Sequence, residues 1–293
     1  MDSRARPGHE QPDSSVHPLS KPERMTRFWW LCSRFPRPYA TRPSNMTVPE
    51  RFWRSSALFL AGLGGSVVLF LTLHIPPSVR ATIGGDEITV RLRMLTFNAS
   101  LLLVTVLLGS VFAHRAGLTS LAAHRVADAR RRLPTLLLYV VAGAVVGLVM
   151  RGVDASLTNA VPELRSFSQA HESALSTLHF GWGVRALYGG VTEELMWRWG
   201  VMSVAAWLLL RWLSRRWALG VAILLSALLF GLDHLPLLFQ LVPDVPVTMS
   251  LRVVLLNVAV GIAFGIAYAY DSLEAAIVMH AAMHMFYFGV GIG

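Results

Sequence analysis

The chain has 293 residues, of which 54% are hydrophobic and only 15% charged, and its mean hydropathy is +0.52. An ordinary soluble domain carries ~25% charged and ~45–50% apolar residues, so this balance excludes a conventional water-soluble enzyme and points to the membrane class. Net charge is +9, carried by 26 basic residues that are all arginine except Lys21; set beside long apolar runs, it marks loop orientation and not a nucleic-acid partner. Cys32 is the only cysteine, which excludes an intrachain disulfide and a cysteine-held metal.

Residues 1–45 are polar, rich in Pro, Ser and Arg, and lack a helical apolar period, so they read as a disordered basic tail. Met46 opens a stretch that reads as a natural beginning. Residues 46–180 are expected to hold N-terminal membrane helices and loops, and residues 181–293 a C-terminal membrane core. A helix needs ~20 apolar residues to cross the ~30 Å hydrocarbon layer, because lipid cannot satisfy a bare backbone. Residues 58–73, 99–113 and 136–150 contain no charged side chain. Seven spans are predicted, at 55–75, 97–114, 134–151, 186–210, 217–235, 251–269 and 273–291, with an eighth crossing or re-entrant piece within 165–190. The fold class is therefore all-α, a polytopic transmembrane bundle of about seven to eight spans. With the N-terminus inside, the inner segments hold 18 basic residues and the outer ones 5, a bias that predicts a cytoplasmic N-terminus.

The first three spans are clean and the last four are not. Glu193, Glu194 and Arg198 fall in the fourth, Asp233 and His234 close the fifth, Arg252 opens the sixth, and His280 and His284 lie in the seventh. A charged residue at a helix centre costs ~2.5–3.5 kcal/mol on insertion scales, so such groups face one another or a watery cavity. Glu194 and Arg198 are four apart with the acid first, the favourable order for a helical ion pair. Glu193 points about 100° away, so one glutamate can be held while the other stays free. His280 and His284 share a face at the spacing that helical metal sites use, and Phe230 and His234 share another. Two chemistries stay open. Glu193, His234, His280 and His284 are candidate ligands for Zn²⁺, which would lower the pKa of a bound water toward ~7. Alternatively Glu193 acts as base without metal and the histidines stabilise an oxyanion. Arg252 reads as a snorkelling or loop-facing residue, and Trp197, Trp199, Trp207 and Trp212 as packing or interfacial anchors.

The order Glu193-Glu194-x-x-x-Arg198, then Phe230-x-x-x-His234, then His280 resembles the CPBP family of type II CAAX prenyl endopeptidases and bacterial relatives linked to bacteriocin processing and immunity. Gly261, Gly265 and Tyr268 resemble that family's glycine-bearing penultimate helix, where small residues permit close helix approach. The resemblance covers roughly residues 185–290. It implies a membrane-embedded endopeptidase acting on membrane-associated protein or peptide substrates, in which Glu193 activates the water. Glu194 with Arg198 would organise the site, and His234 and His280 would bind metal or polarise the scissile carbonyl. His284 stands where the family usually has Asn or Asp, and is expected to donate to an oxyanion or add a ligand. An Arg-rich chain of this kind looks bacterial. A transporter with a buried Glu/Arg/His relay and a catalytically silent immunity or scaffold relative are the competing readings.

Overall fold

The computed structural model describes residues 48–75, 80–81, 84–123, 133–177, 181–242 and 244–289, all within the unit formed by residues 40–293. The basic tail of residues 1–45 lies outside the described residues. Among them there is no strand, and the order is α1 (Val48–Thr72), α2 (Glu87–Phe112), a short 3₁₀ turn (His114–Ala116), α3 (Leu133–Ala160) and α4 (Pro162–Thr177). A long helix α5 follows, made of Val184–Glu193 and Leu195–Met202 in π geometry and Ser203–Leu209 in α geometry. Then come α6 (Arg215–Leu232), α7 (Leu235–Leu241), α8 (Val247–Tyr270) and α9 (Leu273–Tyr287).

Among the described residues, five helices are long and apolar enough to cross a membrane: Trp53–Thr72, Glu87–Phe112, Pro134–Ala160, Arg215–Leu241 and Val247–Tyr270. The expected count of seven to eight spans is not confirmed: α5 carries Glu193, Glu194 and Arg198 within its length and α9 has only 15 residues. At 1.5 Å per residue, α9 rises ~22 Å, short of the hydrocarbon thickness. Leu60, Leu71, Phe97, Leu107, Leu138, Val141 and Leu224 are exposed on the outer helices. A soluble protein would not leave so wide an apolar belt in water, whereas lipid matches it. The stretch between α3 and α5 is the amphipathic α4. Leu164 and Ser168 are buried one turn apart, and Phe167 packs with Leu238 and Val242 of the chain after α6.

Two helices begin earlier or end later than hydropathy alone indicates, because their charges are paired within the fold. In α2, Asp86 caps the N-terminus by accepting from the Thr89 N–H at 2.7 Å, Arg91 pairs with Glu87, and Arg93 donates to the Gly84 carbonyl at 2.9 Å. In α3 the helix runs on past Met150 to Ala160 and buries Asp154. At one face of the bundle, Glu274 accepts from Ser120 Oγ and from the N–H groups of Leu121 and Ala122 at 2.7–2.9 Å. This fixes the start of α9 to the chain after α2. Arg215 donates to the carbonyls of Ala116 and Gly117 there, tying in the start of α6.

Small residues let the helices approach closely. A Cβ at Gly147 of α3 would lie 2.5 Å from the Met283 carbonyl oxygen of α9, and one at Gly143 would collide with the Met279 carbonyl. This is a small-xxx-small seam. On α1, Gly62 and Gly65 face Leu195, Thr192 and Leu187, which seats the π segment against α1. The Thr192 hydroxyl donates to the Gly62 carbonyl at 2.7 Å across that contact.

Candidate active site

Two π stretches in succession are unusual, since π geometry occurs mostly as single turns and concentrates at functional sites. Its i→i+5 hydrogen bonding widens the turn, so residues four and five apart share a face. Tyr188, Glu193 and Trp197 fall on one such face, and Glu194 and Arg198 on the next. The Ser203 hydroxyl donates back to the Arg198 carbonyl at 3.3 Å, five residues earlier. Tyr188 donates to Asn98 of α2 at 2.7 Å.

Glu194 and Arg198 are fully buried, with Glu194 Oε1 3.2 Å from Arg198 Nη1. The same carboxylate oxygen accepts from His280 Nδ1 at 2.8 Å, which carries the contact across from α5 to α9. Arg198 Nη2 donates to the Gly261 carbonyl of α8 at 3.1 Å. Gly261 keeps this contact close: a Cβ would sit 3.3 Å from that guanidinium nitrogen and 3.1 Å from Ala227, tight enough that a neighbour would have to shift. The guanidinium also lies over the rings of Phe230 at 4.7 Å and Phe264 at 5.4 Å. Glu194 is thus the glutamate that Arg198 holds. Glu193, its neighbour, forms no hydrogen bond or ion pair among the described residues; its charged neighbours are Asp233, Glu194 and Arg198.

The histidines are oriented by what their Nδ1 atoms touch. His234 Nδ1 lies 2.8 Å from the Phe230 carbonyl oxygen, an acceptor, so this nitrogen carries the hydrogen. Nε2 is then left with its lone pair. His280 Nδ1 donates to the Glu194 carboxylate, leaving its Nε2 in the same condition. The Phe230 ring stands edge-on to both, at 4.8 Å from His234 and 5.9 Å from His280, and so joins α6 to α9. His280 stacks between Phe264 at 4.2 Å and His284 at 4.7 Å. His284 Nε2 lies 2.7 Å from where a Gly189 Cβ would stand, so only glycine leaves room for this ring.

All six candidate residues, Glu193, Glu194, Arg198, His234, His280 and His284, therefore come to one polar region within the bundle. Five buried polar atoms there have no hydrogen-bond partner: Glu194 Oε2, Arg198 Nε, Arg198 Nη1, Trp197 Nε1 and His284 Nδ1. Buried groups of this kind call for water or a ligand. Among the described residues, no group of three or more His, Cys, Asp or Glu side chains is placed to hold a metal ion. The stacking explains this in part, because two near-parallel imidazoles direct their in-plane lone pairs side by side and not toward one point.

Several contributors escaped sequence reasoning. Phe264, Gly189 and Phe288 carry no charge and gave no signal. Arg252 corrects an expectation: it is buried and paired with Asp154, not snorkelling to a surface. Its cost inside a span was the available clue to a hidden acidic partner. Trp199 is fully buried against Gly109 and Trp212 is exposed, as core and interfacial tryptophans should be.

The fold and the site define a polytopic helical membrane protein with a carboxylate, guanidinium and imidazole cluster inside the bundle. Residues 175–286 match the family described as Type II CAAX prenyl endopeptidase Rce1-like, which supports membership of the CPBP family. The matched stretch contains every one of the six candidate residues. No curated protein and no solved structure matches the chain.

Proposed function

We propose that this protein is an intramembrane endopeptidase that hydrolyses a peptide bond of a membrane-associated protein or peptide, with Glu193 activating the water. One observation carries the reading: of two adjacent glutamates, Glu194 is fully buried and fixed between Arg198 and His280, while Glu193 is half-buried and makes no hydrogen bond or ion pair among the described residues. A structural role would consume both. The Nε2 lone pair of His234 or His280 accepts one hydrogen of the attacking water and leaves the other directed at Glu193. Glu193 takes one proton, the water oxygen bonds to the scissile carbonyl carbon, and the carbonyl electrons move to oxygen. The buried Nδ1 of His284 is the donor offered to that oxyanion, the role expected for the position its family relatives fill with Asn or Asp. Collapse breaks the C–N bond, and the proton on Glu193 leaves with the amine. Glu194 and Arg198 keep His280 in place throughout.

No step is routed through a metal, because the donors do not converge on one. The CAAX-type name of the family makes a lipid-modified segment near a chain terminus the first substrate class to try. The test is cleavage of fluorogenic peptides, with and without a prenyl group, by the detergent-purified protein. Wild type should cleave, and Glu193→Ala and His234→Ala should each lose at least a hundredfold, within the range that general-base removal costs. A chelator arm, followed by added Zn²⁺, reads metal dependence separately. Equal background from wild type and both variants would leave the transporter or silent-relative readings in its place.

A further inference from the structure

Among the described residues outside the cluster, one further charged pair is buried. Arg252 of α8 grips Asp154 of α3 with two bonds, Nε to Oδ1 at 2.6 Å and Nη2 to Oδ2 at 2.7 Å. The Tyr287 hydroxyl at the end of α9 donates to the same Oδ2 at 2.5 Å. A buried ion pair is weak evidence for net stability, since apolar packing of the same volume often does as well. Its position is more telling than its charge.

Tyr287 is the terminus of a column of rings that runs into the candidate active site. It packs edge-on against Phe288 at 4.8 Å and 76°. Phe288 stacks on His284 at 5.8 Å and 23°, His284 on His280 at 4.7 Å and 27°, and His280 on Phe264 at 4.2 Å and 20°. Arg185 lies over Phe288 at 3.4 Å, against the same end of the column. The first two turns of α9 are fixed by Glu274 at the far end of the helix. Its last turn rests on α3, where a Cβ at Gly147 would come 3.0 Å from the Tyr287 nitrogen. No other side-chain hydrogen bond to a neighbouring helix is formed by residues 281–288 among the described residues.

We infer that Asp154, clamped by Arg252, is a positioning residue for this site: through the Tyr287 hydroxyl it sets the register of the last turn of α9, and with it the orientation of His284 and His280. The activity arm of this inference rests on the endopeptidase reading; the geometric arm does not. Asp154 lies in α3, outside the residues matched to the family, so the catalytic segment takes its alignment from a helix that carries no candidate catalytic group. Aligned groups are where a small displacement costs most, up to ~100-fold in rate for ~1 Å.

The experiment uses the full chain in detergent with nitrogen-15 in its histidines, the His280 and His284 ring signals being assigned by His280→Gln and His284→Gln. Tyr287→Phe removes one oxygen and leaves the ring column filled. Thr248→Val serves as control, because it removes an exposed hydroxyl bond to Glu163 that also links α8 to a neighbouring helix. Tyr287→Phe should move the His284 and His280 ring-nitrogen signals and lower kcat about tenfold to a hundredfold with KM unchanged. Thr248→Val should do neither. Asp154→Glu, which keeps the charge and shifts the acceptor by one methylene, should reproduce the shift if Tyr287→Phe does not fold. Unmoved imidazole signals, or equal movement in the control, would overturn the inference. Moved signals in a protein that never cleaves would uphold the positioning role and sink the endopeptidase reading instead.

Discussion

Glu194 has no access to solvent, and both of its partners reach the same oxygen: Arg198 Nη1 at 3.2 Å and His280 Nδ1 at 2.8 Å. Removing it strands a guanidinium among Phe230, Phe264 and backbone, with only the Gly261 carbonyl to receive a hydrogen bond. Glu194→Leu should therefore destabilise the fold by ~3–5 kcal/mol, the usual consequence of leaving one half of a buried pair. The double change Glu194→Leu with Arg198→Met should restore most of that in thermal unfolding while leaving the protein inactive. A single variant as stable as wild type would show that water already solvates Arg198. The pairing of Glu194 with Arg198 was legible from their spacing and order. The link from Glu194 to His280 was not, since it joins residues 86 positions apart and no local pattern encodes it. Asp154 was missed for a different reason: hydropathy ended the third span at residue 151, and an acid beyond that point reads as loop.

At the scale of elements, α9 is held along its length by α3. Gly143 and Gly147 present bare backbone to the Met279 and Met283 carbonyls, whereas Gly152, one turn further on, has nothing within 4 Å of a Cβ. The three glycines are alike in sequence and should separate on substitution. Gly143→Ala and Gly147→Ala should each cost ~1–3 kcal/mol, because the clash is with backbone that cannot rotate away. Gly152→Ala should fall within ~0.5 kcal/mol of wild type or gain slightly from helix propensity. Unfolding in detergent measures all three, and equal effects would refute the seam. Hydropathy located every helix from α1 to α9 except the amphipathic α4 and the short α7. It could not show the π geometry of α5, which packs against glycines of α1 and α2 close to Thr192, Leu187 and Trp199. It also extended the last helix to residue 291, since apolar residues continue past Tyr287 while the helix ends there.

For the molecule as a whole, the division between a clean N-terminal set of spans and a charged C-terminal set was visible in composition, and it coincides with the family match over residues 175–286. The dependence of the second set on the first was not visible. α1 and α2 seat the π segment, and α3 packs along the α9 backbone that carries His280 and His284 and holds the Tyr287 end of the ring column. The most direct measurement of the central claim is mass spectrometry of a membrane peptide incubated with the purified protein in oxygen-18 water. Direct attack by a water on Glu193 predicts two fragments, with one heavy oxygen in the newly formed carboxylate, and no fragments at all from Glu193→Gln. An intact peptide with wild type, or labelled fragments that persist undiminished in Glu193→Gln, would contradict it.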